Sequence, residues 1–282
     1  MNKKKLLGFV FLFTCLLVGG SFLFFGSFGA DKPVVVGDLL PTASPKRPVL
    51  RLAVFADIHS DWEKLQKAVK KVNNDNDVDV VLVLGDLTNL GSLDDLNKSK
   101  EILDGLSASY YVMPGNHDVW YSRRAGQAAD YNFEQVFGRQ AACFSAKGFN
   151  LVLLDNSDEQ RTIEQNHWRD IQTCLEKSEP ILFFMHEPLY HPASERLMGQ
   201  YLPELADQAD ILTGKLCDKR AKLAAAAHLH SFSRYNYVCD NDYKLPMIVS
   251  PALTRERNFQ TPRFLYLDVF EDGGFEEREI EI

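Results

Sequence analysis

Five short runs of apolar, β-branched and aromatic residues in this chain each stop on Asp, His or Asn. Residues 51–56 run into Asp57-Ile58-His59, and residues 78–84 into Gly85-Asp86-Leu87-Thr88-Asn89. Tyr110-Tyr111-Val112-Met113 breaks at Pro114-Gly115 and continues as Asn116-His117-Asp118. Residues 181–185 end at His186, and residues 222–227 at His228-Leu229-His230. Runs of this length and composition read as buried strands, and Pro-Gly punctuates them. Open α/β sheets place ligands beyond the carboxyl ends of their strands. The chain is therefore expected to gather Asp, His and Asn side chains along one sheet edge.

The segments between the runs fit that reading. Ser60 and Glu63 stand in a capping-box pattern, and Leu65, Ala68, Val69 and Val72 recur at helical spacing. Asp57 and His59 then lie on the loop of a strand–loop–helix unit. Residues 91–106 predict a helix, with Ser92 and Asp95 as its start. Residues 119–137 are polar and aromatic and are expected to cover the loop cluster. Residues 151–155 read as a strand, 163–175 as a helix carrying Gln165 and Trp168, and 201–209 as another helix. The end is mostly β: residues 246–249 and 264–270, an Asp-Gly-Gly turn, and an alternating tail to Ile282. No internal repeat is visible.

The chain has 282 residues, 45% hydrophobic and 25% charged, which suits one sizeable globular domain. A net charge of −8 argues against a nucleic-acid partner, and hence against a nuclease. Lys3, Lys4 and Lys5 precede residues 6–30, which contain no charge and cover the roughly 20 residues a bilayer-spanning helix needs. The expected organisation is a basic cytoplasmic N-terminus over 1–5, a transmembrane signal anchor over 6–30, a Pro-rich linker over 31–48 and a domain over 49–282. That places the domain outside the cytoplasm, tethered to the membrane through its N-terminal helix. Ser27-Phe28-Gly29 before Ala30 also offers cleavage-like spacing, so secretion after signal cleavage is the alternative. Outside Cys15 the cysteines are Cys143, Cys174, Cys217 and Cys239. Their even number suits disulfides, buried free thiols remain equally open, and their irregular spacing disfavours a zinc-thiolate site.

Taken in order, Asp-x-His, Gly-Asp, Gly-Asn-His-Asp, His and His-x-His resemble the calcineurin-like metallophosphoesterase family, over residues 51–270. The resemblance implies two packed mixed β-sheets flanked by helices. It implies a two-metal phosphoester hydrolase, a phosphatase or phosphodiesterase that uses a metal-bound hydroxide as nucleophile on a phosphoester substrate. Two divalent ions (Mn, Fe or Zn) about 3.5 to 4 Å apart can hold both oxygens of a phosphoryl displacement, and imidazole and carboxylate suit such ions. By resemblance, Asp57, His59, Asp86 and His230 hold the first ion. Asp86, Asn116, His186 and His228 hold the second, with Asp86 as the bridge. His117 is implied to protonate the leaving oxygen, with Asp118 orienting it. In extended backbone alternate side chains point the same way, so each of Asp57/His59 and His228/His230 is expected to converge, leaving Leu229 in the core.

Some residues carry a plainer reading. Glu187, His191 and Arg196 suit a polar loop, Arg123 and Arg124 a helix end, His167 and Trp168 a packing helix, and Glu276 to Glu281 a solvated strand. The family usually has Gly before His-x-His. Ala227 stands there instead, and strain is expected if that position needs positive φ. Asp-Leu-Thr after Gly85, Leu-Leu-Asp and His-Glu-Pro most resemble the cyclic-nucleotide phosphodiesterase branch. An outward-facing domain conflicts with cytoplasmic cyclic nucleotides, and the topology is weighed above the branch. A catalytically silent binding module on the same fold is the alternative function. Loss of Asp86, Asn116 or His117 would favour it, and all three are present.

Overall fold

The computed structural model describes residues 47–139 and 141–282. Their strands form two mixed sheets. In the first, β1 (Leu50–Phe55), β2 (Val80–Leu84) and β3 (Ser109–Met113) run parallel. The second contains β4 (Cys143–Ala146), β5 (Phe149–Leu154), β6 (Ile181–Met185), β7 (Leu223–Ala226), β8 (Ser233–Val238) and β9 (Lys244–Val249). Of these β5, β6, β7 and β9 are parallel, and β4 and β8 are the antiparallel edges. The chain then returns to the first sheet, adding β10 (Arg263–Val269) antiparallel to β1, and β11 (Phe275–Glu281) outside it.

The side-chain period of two divides the apolar residues between layers. Leu52, Val54, Leu82 and Leu84 meet Leu151, Leu153, Leu182 and Phe184 in a core between the sheets. Phe55, Val81 and Val83 turn the other way, onto α1 (Trp62–Asn73) and α2 (Leu93–Leu103). Two short helices, α3 (Trp120–Arg124) and α4 (Tyr131–Phe137), follow β3. Val152, Phe183 and Met185 face α5 (Gln165–Leu175) and α6 (Pro203–Asp218). Strands covered on both faces need apolar residues at every position, which is why they read as continuous runs.

Several expectations shift. The cap of α1 is Asp61, whose Oδ1 accepts from Lys64 N at 3.3 Å. Ser60, at φ 60°, turns its hydroxyl to Asn89 N instead. The helix expected over 201–209 runs on to Asp218. Strands β4 and β8 were not expected; β8 alternates exposed and half-buried residues and is an edge. The cysteines pair as Cys143–Cys174 and Cys217–Cys239, with Cα separations of 6.0 and 5.8 Å. Both bridges fasten the second sheet to its helices.

The expected signal anchor and nearly all of the linker lie on residues 1–46, outside the described residues. Among the described residues no helix is long and apolar enough to cross a membrane. The longest, α6, has 16 residues. At about 1.5 Å per residue it falls short of a hydrocarbon core of about 30 Å. This corrects the anchored, extracytoplasmic placement expected above, and that placement is not carried further.

Candidate metal centre

The loops after β1, β2, β3, β6 and β7 meet at one edge of the two sheets, and backbone bonds stitch them together. Ile58 N and His59 N both donate to Asp86 O, at 2.8 and 2.9 Å, and Asp57 N donates to Gly85 O. Gly115 lies so close beneath Asp86 that a Cβ there would collide with Asp86 N and Oδ1.

Left-handed backbone brings the side chains together. Asp57 (φ 50°), His59 (46°), Asp86 (53°), His228 (70°) and His230 (55°) all adopt it. Non-glycine residues adopt it uncommonly, Asp and His more readily than most, and a cluster of five such residues at one edge marks a functional loop set. The expected mechanism, alternation in extended backbone, is therefore replaced by a left-handed turn at both members of the Asp57/His59 and His228/His230 pairs. Leu229 is correspondingly half-buried rather than in the core. Ala227 has no positive φ, so the strain considered there falls on its histidine neighbours.

Two clusters result. Asp57, His59, Asp86 and His230 offer ligand atoms within 4.8 Å of one another, as do Asp86, His186 and His228. Asp86 belongs to both. Every member is buried. His59 Nε2 lies 3.0 Å from His230 Nε2, and His186 Nε2 3.3 Å from His228 Nδ1. Asn116 Oδ1 joins the second cluster, 3.2 Å from His186 Nε2. Backbone carbonyls orient the rings: His186 Nδ1–H donates to Leu84 O at 2.7 Å and His230 Nδ1–H to Arg257 O at 3.1 Å. Each of these leaves Nε2 directed inward. Asp57 Oδ2 is buried without a hydrogen-bond partner. Converging imidazole nitrogens and an unpartnered buried carboxylate oxygen are a donor set that fits a borderline divalent cation.

The charges divide unevenly. Burial pushes the Asp57 carboxyl up and His59 down to about 3. Burial also opposes charge on His186, but the adjoining Asp86 carboxylate overrides it and holds His186 at about 10. Although burial works against it, Asp86 stays well below its ordinary range because His186 is charged.

His117 and Asp118 separate in the structure. His117 Nδ1–H donates to Asn89 O at 2.9 Å, and its ring stacks on Trp120. Asp118, expected to orient His117, accepts instead from Leu87 N, Gly115 N, Thr88 N and Thr88 Oγ1 at 2.9 to 3.0 Å. Its carboxylate is saturated by the loops after β2 and β3, leaving the imidazole to a carbonyl. Burial, and then the Asp86 charge, push Asp118 up to about 7.

Three residues escaped the sequence reading. Asn156 Oδ1 accepts from His186 N and Glu187 N, both at 3.1 Å, and so sets the His186 backbone. Its position just past the fifth strand was the available signal. Arg257 and Asn89 act through backbone carbonyls, which sequence does not mark. Of the rest, Arg123 pairs with Asp158 at 3.0 Å, and His167 accepts from Asp155 N at 3.0 Å. His191 pairs with the Ser233 hydroxyl at 3.1 Å. Arg196 approaches His228. Glu187 is buried beside His186, and burial followed by Glu159 pushes its carboxyl up to about 8.

The family model for calcineurin-like phosphoesterases matches residues 50–232. The chain belongs to that family. Solved structures share the fold of this chain at low identity. TT1561 of Thermus thermophilus aligns with a TM-score of 0.54 at 15% identity, covering 82% of this chain and 98% of that one. Purple acid phosphatase PPD1 from yellow lupin seeds gives 0.57 at 16%, covering 82% and 51%. GAP50, the anchor in the inner membrane complex of Plasmodium, gives 0.51 at 14%, covering 82% and 84%. No curated protein matches the chain by sequence.

Proposed function

We propose that residues 49–282 form a two-metal phosphoester hydrolase. The observation that carries this reading is the sharing of Asp86 between two buried ligand clusters. A carboxylate has two oxygens and a full charge, so it can bridge two cations. Asp57, His59, Asp86 and His230 would hold one divalent ion, and Asp86, Asn116, His186 and His228 the other. Bound there, the ions supply Lewis acidity and an activated water.

The chain's own residues do the positioning. Asn156 and the Leu84 carbonyl aim His186, and the Arg257 carbonyl aims His230. His117 is held at Nδ1 by Asn89, which leaves Nε2 as the atom that passes a proton to the leaving oxygen. Asp118 serves by locking the two loops that carry Asp86 and His117.

The test uses the purified chain with Mn, Fe, Zn or chelator. p-Nitrophenyl phosphate, its bis-ester and cyclic nucleotides are the substrates, and Asp86→Asn is assayed beside wild type. Chelator-sensitive hydrolysis that Asp86→Asn abolishes is the expected result. A folded chain with no turnover under any metal would point to a silent binding module.

A further inference from the structure

Two arginines reach the centre at different histidines. Arg257 Nη1 lies 3.4 Å from His117 Nε2, and Arg196 Nη2 lies 3.4 Å from His228 Nε2. Both residues are exposed. Both spacings exceed the 2.7–3.2 Å of a good hydrogen bond, so these guanidinium donors are largely uncommitted. Among the described residues neither arginine has a carboxylate partner, although Arg51, Arg123, Arg234 and Arg263 do. The contrast is sharpest within one loop. Arg255 pairs with Glu63 and Asp61, and two residues later Arg257 turns to the histidines. In a chain of net charge −8, acids are not scarce. The placement is built. Arg257 takes φ 53°, which also delivers its carbonyl to His230. The Arg196 segment is anchored by buried Met198, whose N–H donates to Pro188 O at 3.0 Å.

We infer that Arg196 and Arg257 form an anion clamp that selects a dianionic terminal phosphate, a phosphomonoester, over a phosphodiester. The inference rests on the metal-centre reading. Guanidinium groups bind phosphate oxygens through paired N–H donors. A terminal phosphate carries about two charges and three non-bridging oxygens, enough for both guanidinium groups. A diester has one charge, two such oxygens and a second ester arm, so it satisfies the pair poorly.

The test compares wild type with Arg196→Gln and Arg257→Gln in the Mn-loaded full chain, with Arg255→Gln as control. Orthophosphate affinity is measured by calorimetry, kcat/KM on p-nitrophenyl phosphate and on its bis-ester, and metal content by elemental analysis. Hydrogen bonds to charged groups predict a loss of roughly 10- to 100-fold per arginine in orthophosphate affinity and in monoester kcat/KM. The bis-ester rate should change less than about threefold. Metal content should hold, because Arg257→Gln keeps the carbonyl that orients His230. Arg255→Gln should leave the monoester-to-diester ratio unchanged. Equal losses on both esters, or unchanged orthophosphate affinity, would overturn the clamp. If wild type hydrolyses neither ester, the hydrolase reading falls, and orthophosphate titration alone then judges the clamp: equal binding by wild type and variants overturns it.

Discussion

His59 and His186 lie on opposite flanks of the centre at nearly the same distance from Asp86, 3.4 and 3.5 Å from Oδ2. Both are buried. Yet burial lowers His59 to about 3, while His186, despite its burial, is held at about 10 by Asp86. The second ring nitrogen accounts for part of this. His186 Nδ1–H meets the Leu84 carbonyl, whereas His59 Nδ1 is buried with no partner. His59 also faces repulsion from His230, His117 and Arg257. An imidazolium carries two N–H donors, and burial punishes one left unmet. One shared carboxylate therefore does not give two equal flanks.

The strongest way to break the comparison is to remove what the flanks share. Asp86→Ala should cost about 10³-fold or more in kcat/KM, on the scale of losing a main electrostatic element of a site. Elemental analysis should show both metals reduced. Loss of one equivalent with activity kept within tenfold would show that Asp86 serves one flank only.

Asp118→Ala removes the acceptor beneath both flanks and leaves buried N–H groups of Leu87, Thr88 and Gly115 without it. A destabilisation of about 2–4 kcal/mol is expected by denaturant titration. A change below about 0.5 kcal/mol would contradict that role.

Single-flank variants sharpen the contrast. His59→Ala and His228→Ala should each lower bound metal from about two equivalents to about one, because each removes a ligand from one flank and leaves the other flank's set complete. Simultaneous loss of both from either variant would mean that the flanks load as one unit.

The smallest effect concerns protons. In the metal-free protein His186 is raised from 6.5 to about 10. Its folded form binds the proton more tightly than the unfolded chain. The His186–Asp86 pair thus contributes stability in full below about pH 6.5 and loses it as pH rises towards about 10. Metal must displace that proton. Calorimetric metal affinity on this flank should rise up to about tenfold per pH unit between pH 6 and 8. His59, neutral above about 3, should add no slope there. A pH dependence that survives His186→Asn but vanishes in His59→Asn would reverse the assignment.

Much of the fold and the set of candidate ligands were legible in the linear pattern. Strand runs such as 181–185 announced themselves because both faces are covered, and each ended on a ligand-type residue. Such information is local: an apolar run, a Pro-Gly break and a polar triplet all lie within a few residues of one another. What only tertiary structure decided is non-local. It chose left-handed turns at Asp57, Asp86 and His228, because loops from different strands crowd into one edge. It paired Cys143 with Cys174 and Cys217 with Cys239. It gave His117 to the Asn89 carbonyl and Asp118 to the loops beneath, and brought Arg257 across 140 positions to His117. Backbone carbonyls are the same at every residue, so sequence spacing cannot say which of them will meet a given imidazole. Only the packing of the two sheets can.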